Sequence, residues 1–125
     1  MEGESRFRLD DFELYKLARE FRKKIYTLIK RLPAEERYCL DKQMRRAAVS
    51  VTNNIAEGHG RWHFQENIHF CLVSRGSVTE LIDDLNVCLD EHYMDETTLS
   101  HLKDEAYLLI HRINGYMSYL DKCKQ

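Results

Sequence analysis

The chain has 125 residues, 43% hydrophobic and 32% charged, with a formal net charge of −2. This composition is typical of one soluble globular domain spanning 1–125, and no apolar run approaches the roughly 20 residues that a membrane-spanning helix requires. The first residues lack the apolar block of a signal peptide, and the four cysteines form no C-x-x-C pair, so we expect a cytoplasmic protein with reduced thiols.

Apolar residues recur at helical spacing in four successive segments, whereas strand patterns are nearly absent. The four apolar stripes run over 14–32, 40–55, 68–89 and 99–120. Pro33 ends the first helix and Gly58 ends the second, the third begins near His63, and Asp95 is a capping candidate for the fourth. Because connections of about four to six residues make neighbouring helices fold back on each other, we predict an all-α, antiparallel up-down-up-down four-helix bundle. Residues 1–10 precede it as an N-terminal extension.

The third and fourth helices carry more apolar surface than one core-facing stripe needs. In the third helix the apolar positions spread over an arc of about 200°, where a single stripe needs little more than about 100°. These positions include Phe70, Leu81, Leu85 and Cys88. Leu108 and Tyr119 lie off the main stripe of the fourth helix. The surplus predicts a homo-oligomer, with the alternative that segment 6–12 covers it.

Charge is divided unevenly along the chain. Residues 1–61 hold 14 Lys/Arg against 10 Asp/Glu, and residues 62–125 hold 5 against 11. We therefore expect an anionic partner to meet the first half, and a cationic partner, such as another copy, to meet the second.

Two motifs resemble a known family. "LDKQMRRAAVSVTNNIAEGHGR", followed by "ENIHFCLVSRGSVTEL", is similar to the four-helix-bundle family encoded in intervening sequences of bacterial 23S ribosomal RNA genes. The resemblance covers nearly the whole chain and implies a ring-shaped homo-oligomer, typically a homopentamer, without known catalysis. A relative of this family, the accessory variability protein of diversity-generating retroelements, binds nucleic acid and a reverse transcriptase. This chain departs from the family pattern at His63, a poor helix cap, and at Asn67, where a large apolar residue is expected.

The shared motifs place polar and small residues beside the apolar stripes of the second and third helices. These residues are Gln43, Ser50, Asn54, Glu57, Gly58, Gly76, Ser77 and Glu80. We interpret them as structural: Asn54 and Ser50 are expected to hydrogen-bond to a neighbouring helix or subunit, and Gly76 and Ser77 to allow close helix approach.

A strip of basic residues on the outer side of the first helix is the main candidate for binding RNA or DNA. Its members Lys16, Arg19, Lys23 and Lys30 share an arc of about 60°. The full candidate set is Lys16, Arg19, Arg22, Lys23, Lys30, Arg45, Arg46 and Arg61. The alternative is an ordinary solvated helix face.

The turn 58–61 is a second candidate, for an anion, because glycines there permit positive φ and Arg61 precedes the amino end of a helix. The alternative is a glycine-terminated helix whose Arg61 pairs with Glu57.

No motif indicates catalysis. Glu66 and His69 form a single Glu-x-x-His, whereas di-iron bundles need two such pairs, and no nucleophile, P-loop or dinucleotide motif is present. We therefore expect neither catalytic residues nor a metal or cofactor. The predicted function is nucleic-acid binding, with a protein-interaction scaffold or accessory subunit, for a reverse transcriptase or another protein, as the alternative.

Overall fold

The computed structural model describes residues 8–124. Four helices account for most of this range: α1 (Glu13–Ile29), α2 (Leu40–His59), α3 (Phe64–Asp90) and α4 (Glu96–Cys123). Short 3-10 helices occupy Leu9–Asp11 and Ala34–Glu36, and no strand occurs between residues 8 and 124. Within that range, no helix combines the length and the apolar character needed to cross a membrane.

Contacts between side chains show that neighbouring helices run antiparallel. Gln43 of α2 bonds to Asp84 of α3, and Ser50, further along α2, bonds to the earlier Ser77. The same reversal relates α1 to α2, as shown by the pairs Tyr26–Arg45 and Arg22–Thr52. It relates α3 to α4 through Arg75–Asn114 and Asn86–Lys103. It also relates α1 to α4 through Lys24–Glu105 and Arg31–Asp95. Each helix packs on the next, and α1 also packs on α4. The predicted four-helix bundle is therefore confirmed.

The helix ends follow local chemistry, with two differences from the predicted boundaries. Asp95 caps α4 as expected, because its carboxylate accepts the backbone N–H of Thr98 at 2.9 Å, and this bond lowers the pKa of Asp95 to about 2. His63 gives α3 no side-chain cap. α1 ends at Ile29 rather than Leu32, because the next amides bond to carbonyls three residues back and tighten the chain before Pro33. α2 continues through Gly58 to His59.

The core takes residues from all four helices, and α3 contributes a wide arc of its surface. Leu81, Leu85 and Cys88 are fully buried, because α3 packs against both α2 and α4. Most of the surplus predicted for α3 is thus buried within one chain. The large apolar side chains that stay exposed on α3 and α4 are Phe64, Leu72, Val73, Tyr107, Leu108 and Tyr119. Leu72 falls within the apolar stripe predicted over 68–89, but its side chain is exposed.

The alternative cover for that surplus, segment 6–12, falls partly outside the described residues. Its last residue, Phe12, stacks on His59 and tilts against Tyr116, with ring centroids 5.0 Å apart in both cases. Phe12 therefore covers the end of the bundle where α1 begins and α2 ends.

Candidate functional site

The basic strip predicted on α1 lies on the outer face of the bundle. Lys16, Arg19, Lys23 and Lys30 are all exposed. Lys16 and Lys23 form ion pairs with Glu13 and Glu20 at 3.3 Å. Exposed pairs of this kind contribute only about 0–1 kcal/mol, so both lysines remain available to a stronger anion. Arg19 and Lys30 have no acidic partner among residues 8–124.

Two of the predicted nucleic-acid contacts are engaged inside the bundle instead. Arg22 is half-buried and donates to the hydroxyl of Thr52 at 2.9 Å. Arg45 pairs with Asp41 at 2.7 Å, and its guanidinium lies 5.1 Å from the centroid of the Tyr26 ring. Both arginines face the seam between α1 and α2, because their positions on the helical wheel point toward the neighbouring helix rather than outward. Their main contribution is therefore to hold the two helices together.

The structure places two cations that the sequence reasoning missed, Lys42 and Arg37, near the predicted Arg46. On α2, Lys42 and Arg46 are exposed one turn apart, and Arg37 is exposed in the connection before it. None of the three pairs with an acidic side chain within residues 8–124. Lys42 and Arg46 are four residues apart and lie opposite the apolar stripe of α2. This spacing was the sequence signal for a second outward row of cations, on α2.

The two helix pairs carry opposite charge. Residues 13–59, which form α1 and α2, contain eleven Lys/Arg and six Asp/Glu, whereas residues 64–123, which form α3 and α4, contain four and eleven. Because α1 lies beside α2 and α3 beside α4, one flank of the bundle is positive and the other negative. We call the outer surface of Lys16, Arg19, Lys23, Lys30, Lys42 and Arg46 the basic face.

The turn after α2 matches the structural alternative rather than an anion site. Arg61 pairs with Glu57 at 2.8 Å and approaches Glu66 at 3.9 Å, and it lies over the Phe70 ring at 5.5 Å. Gly60 has φ −77°, and none of the glycines between residues 8 and 124 has positive φ. The turn therefore does not use the positive φ that its glycines permit, and two carboxylates already lie beside Arg61.

The polar residues of the shared motifs connect α2 to α3 within one chain. The hydroxyls of Ser50 and Ser77 lie 2.7 Å apart, and Gln43 Nε2 donates to Asp84 Oδ1 at 2.7 Å. Asn54 differs from the prediction, because its amide donates to the backbone and hydroxyl oxygens of Ser50 on its own helix.

The remaining motif residues divide into packed and exposed ones. Gly58 is buried against α3. Gly76 does not receive another helix as expected, since a Cβ at Gly76 would meet no atom within 4 Å. Glu80 is exposed, and Glu57 serves the ion pair with Arg61.

Asp84 is a buried carboxylic acid that the sequence reasoning did not single out. It is fully buried, its Oδ1 receives the Gln43 amide, and its Oδ2 has no partner. Burial and the nearby carboxylates Glu80 and Asp83 raise the pKa of Asp84 to about 6. Its position on the same face as Leu81, Leu85 and Cys88 was the available signal.

Two of the four cysteines, Cys71 and Cys88, are buried thiols. Burial raises the pKa of both the Cys71 and the Cys88 thiols to about 11, which keeps them protonated. Glu66 and His69 line a shallow depression of about 440 Å³ together with Arg61, Gln65 and Phe70. Within residues 8–124, no three His, Cys, Asp or Glu side chains are grouped so that they could hold a metal ion.

Comparisons with known proteins agree with this architecture. The chain is similar to the crystal structure of a protein with unknown function from the S23 ribosomal protein family of Bacteroides thetaiotaomicron, with a TM-score of 0.77, 17% sequence identity, and coverage of 83% of this chain and 97% of that chain. At this identity the likeness supports the fold alone. A comparison with curated proteins gave no match. Residues 10–115 match the family model described as "23S rRNA-intervening sequence protein". This match covers most of the four-helix bundle, and the chain therefore belongs to the 23S rRNA-intervening sequence protein family.

Proposed function

We propose that this protein is a non-enzymatic, homo-oligomeric binding protein whose basic face holds the phosphate backbone of RNA or DNA. The observation that carries the proposal is the division of charge between the α1–α2 flank and the α3–α4 flank. A polyanion is attracted to the first flank and repelled by the second, although the chain as a whole has a net charge of −2.

The availability of the cations supports phosphate contact. Arg19, Lys30, Lys42 and Arg46 are exposed and have no acidic partner among the described residues, so binding a phosphate breaks no ion pair. Lys16 and Lys23 exchange weak surface pairs for phosphate oxygens. Contacts of this type read the backbone rather than the bases, so we expect weak sequence specificity and strong salt dependence.

The test is a salt titration of binding to labelled RNA and DNA. A variant that reverses three free cations, Arg19→Glu, Lys30→Glu and Arg46→Glu, should bind much more weakly and lower the slope of log affinity against log salt by about three. The control reverses Lys122, an exposed cation of α4, to Glu and should change neither quantity appreciably. Absence of binding by the unaltered protein at low salt would overturn the proposal.

Protein–protein contact is the second candidate, favoured by the exposed side chains of Leu72, Val73 and Leu108 on the acidic flank. Such apolar groups are suited to a further copy of the chain or to another protein, such as a reverse transcriptase. Light scattering tests the homo-oligomer, and a monomer at micromolar concentration would contradict it.

A further inference from the structure

The connection between α1 and α2 exposes an aromatic side chain at one end of the basic face. Tyr38 is 80% exposed, the highest value for a large hydrophobic side chain within residues 8–124. We call residues 30–42 the α1–α2 tip. They begin directly after α1, pass through the 3-10 helix and end in the first turn of α2.

Three cations without an acidic partner lie near Tyr38 in the sequence. Lys30, Arg37 and Lys42 are exposed, and no acidic side chain among residues 8–124 pairs with them. The fourth cation of the tip, Arg31, is occupied by Asp95 at 3.3 Å.

The tip also holds three acidic residues, two of which have partners within the chain. Glu36 accepts the Tyr93 hydroxyl at 2.6 Å, and Asp41 pairs with Arg45 at 2.7 Å. Glu35 is the exposed carboxylate that remains. Three cations without an ionic partner thus stand beside two such carboxylates, Glu35 and Glu36, which leaves the tip with a small positive excess that attracts an anion.

The backbone of the tip is held in place by hydrogen bonds. The amide of Arg37 donates to the Ala34 carbonyl at 3.1 Å, and that of Cys39 donates to the Glu36 carbonyl at 3.1 Å. The Glu36 side chain ties this connection to Tyr93, beyond the end of α3. Tyr38 is therefore presented on an ordered turn, and a ligand that stacks on it has little backbone to immobilise.

The setting of the aromatic residues decides which ligand fits. Tyr26 and Tyr15 are half-buried along α1, and the Arg45 guanidinium already covers the Tyr26 ring. Tyr107 is 58% exposed but lies on the acidic flank, where a polyanion is repelled. Tyr38 is accordingly the exposed tyrosine that a nucleic acid on the basic face reaches.

The shape of the basic face favours one nucleic-acid form. α1 and α2 lie side by side, so neither helix projects as a single rod that could enter a major groove about 12 Å wide. A single strand has bases with free faces, and these stack on aromatic rings while its phosphates meet cations.

Building on the proposed function, we propose that the α1–α2 tip gives the protein a preference for single-stranded nucleic acid. Tyr38 stacks on an unpaired base, and Lys30, Arg37 and Lys42 contact the neighbouring phosphates.

The experiment measures fluorescence anisotropy of the full chain with a labelled DNA strand of about 16 nucleotides and with the duplex of the same sequence. The unaltered protein should bind the single strand more tightly than the duplex. Tyr38→Ala should weaken single-strand binding about tenfold or more and leave duplex binding unchanged, whereas Tyr38→Trp should retain the preference. Tyr107→Ala, the matched control on the acidic flank, should behave as the unaltered protein.

Two results would overturn this proposal while leaving the proposed function intact. One is equal affinity for the single strand and the duplex. The other is a Tyr38→Ala variant that binds the single strand as tightly as the unaltered protein. In both cases the triple charge reversal still weakens binding, which keeps the proposed function. If neither form binds at low salt, the proposed function itself fails, and the preference fails with it. Circular dichroism of each variant confirms that its helices are intact.

Discussion

The absent side chain of Gly58 makes room for the amide of Asn67. A Cβ placed on Gly58 would stand 2.5 Å from Asn67 Oδ1 and 3.2 Å from Phe70 Cβ, so α2 and α3 approach each other at this point. Asn67 uses the space to donate to the Tyr116 hydroxyl at 3.0 Å and to accept the Cys71 thiol at 3.7 Å. The polar residue that replaces an expected apolar one therefore joins α3 to α4.

Gly58→Ala should destabilise the protein by about 1–3 kcal/mol, because the new methyl displaces the Asn67 amide from its bonds to Tyr116 and Cys71 and crowds Phe70 Cβ. Urea unfolding followed by circular dichroism measures the change. Gly60→Ala is the matched control, since its Cβ would meet only ordinary contacts at 3.6 and 3.7 Å. The loss should shrink in an Asn67→Ala background, and an equal loss in both backgrounds would contradict the assigned clash.

Asp84 predicts how stability depends on pH. Its pKa is about 6 in the folded chain and near 3.8 when unfolded, so the unfolded chain releases this proton first as pH rises. The contribution of Asp84 to folding therefore becomes less favourable between about pH 4 and pH 6 and stays so at higher pH. Above this window Asp84→Asn should be more stable than the unaltered protein by about 1–2 kcal/mol, because the variant removes the buried charge. The gain is smaller than the pKa shift alone implies, because the Asn amide adds one unmatched donor.

Unfolding of the Asp84→Asn variant at about pH 4 and about pH 7.5 tests this expectation. Asp104, an exposed carboxylate of α4, supplies the control, and Asp104→Asn should show no comparable gain at the higher pH. An Asp84→Asn variant whose stability relative to the unaltered protein is the same at both values would contradict the raised pKa of Asp84.

Substitutions at Arg22 and Arg19 should affect different quantities, the stability of the fold in the first case and nucleic-acid affinity in the second. Arg22→Met loses the hydrogen bond to Thr52 and should lower the free energy of unfolding by about 1 kcal/mol, with little effect on nucleic-acid affinity. Arg19→Met removes an exposed cation and should weaken binding without a change in stability. Denaturant unfolding and anisotropy titration of both variants give the comparison, and the reverse pattern would show that the two arginines have been assigned wrongly.

Asp95→Ala should lower the melting temperature by a few degrees, because the first turn of α4 loses the acceptor for the Thr98 amide and Arg31 loses its partner. The folded pKa of about 2 lies below the ordinary 3.8, so the stabilisation is present above about pH 4 and is lost as pH falls toward 2. Melting curves over this range should therefore converge for the variant and the unaltered protein. A difference that persists at the lowest pH would indicate another cause.

Helical periodicity predicted the fold because four apolar stripes with short connections leave few ways to bury them. The outward strip on α1 was predictable in the same way, since Lys16, Arg19 and Lys23 lie opposite the core. The contacts that Arg22 and Arg45 make within the chain were not predictable, because a charge pattern does not reveal which side chains lie beside each cation in the folded bundle. Asn54, whose amide bonds within its own helix, shows the same limit.

The separation of charge across the bundle gives each molecule a permanent electric dipole perpendicular to its long axis. A molecule of this kind turns in the field of a polyelectrolyte before contact, so encounter begins from a favourable orientation despite the near-neutral total. We therefore expect the protein to be retained on both cation- and anion-exchange media near the isoelectric point of about 6.3 that its sequence gives.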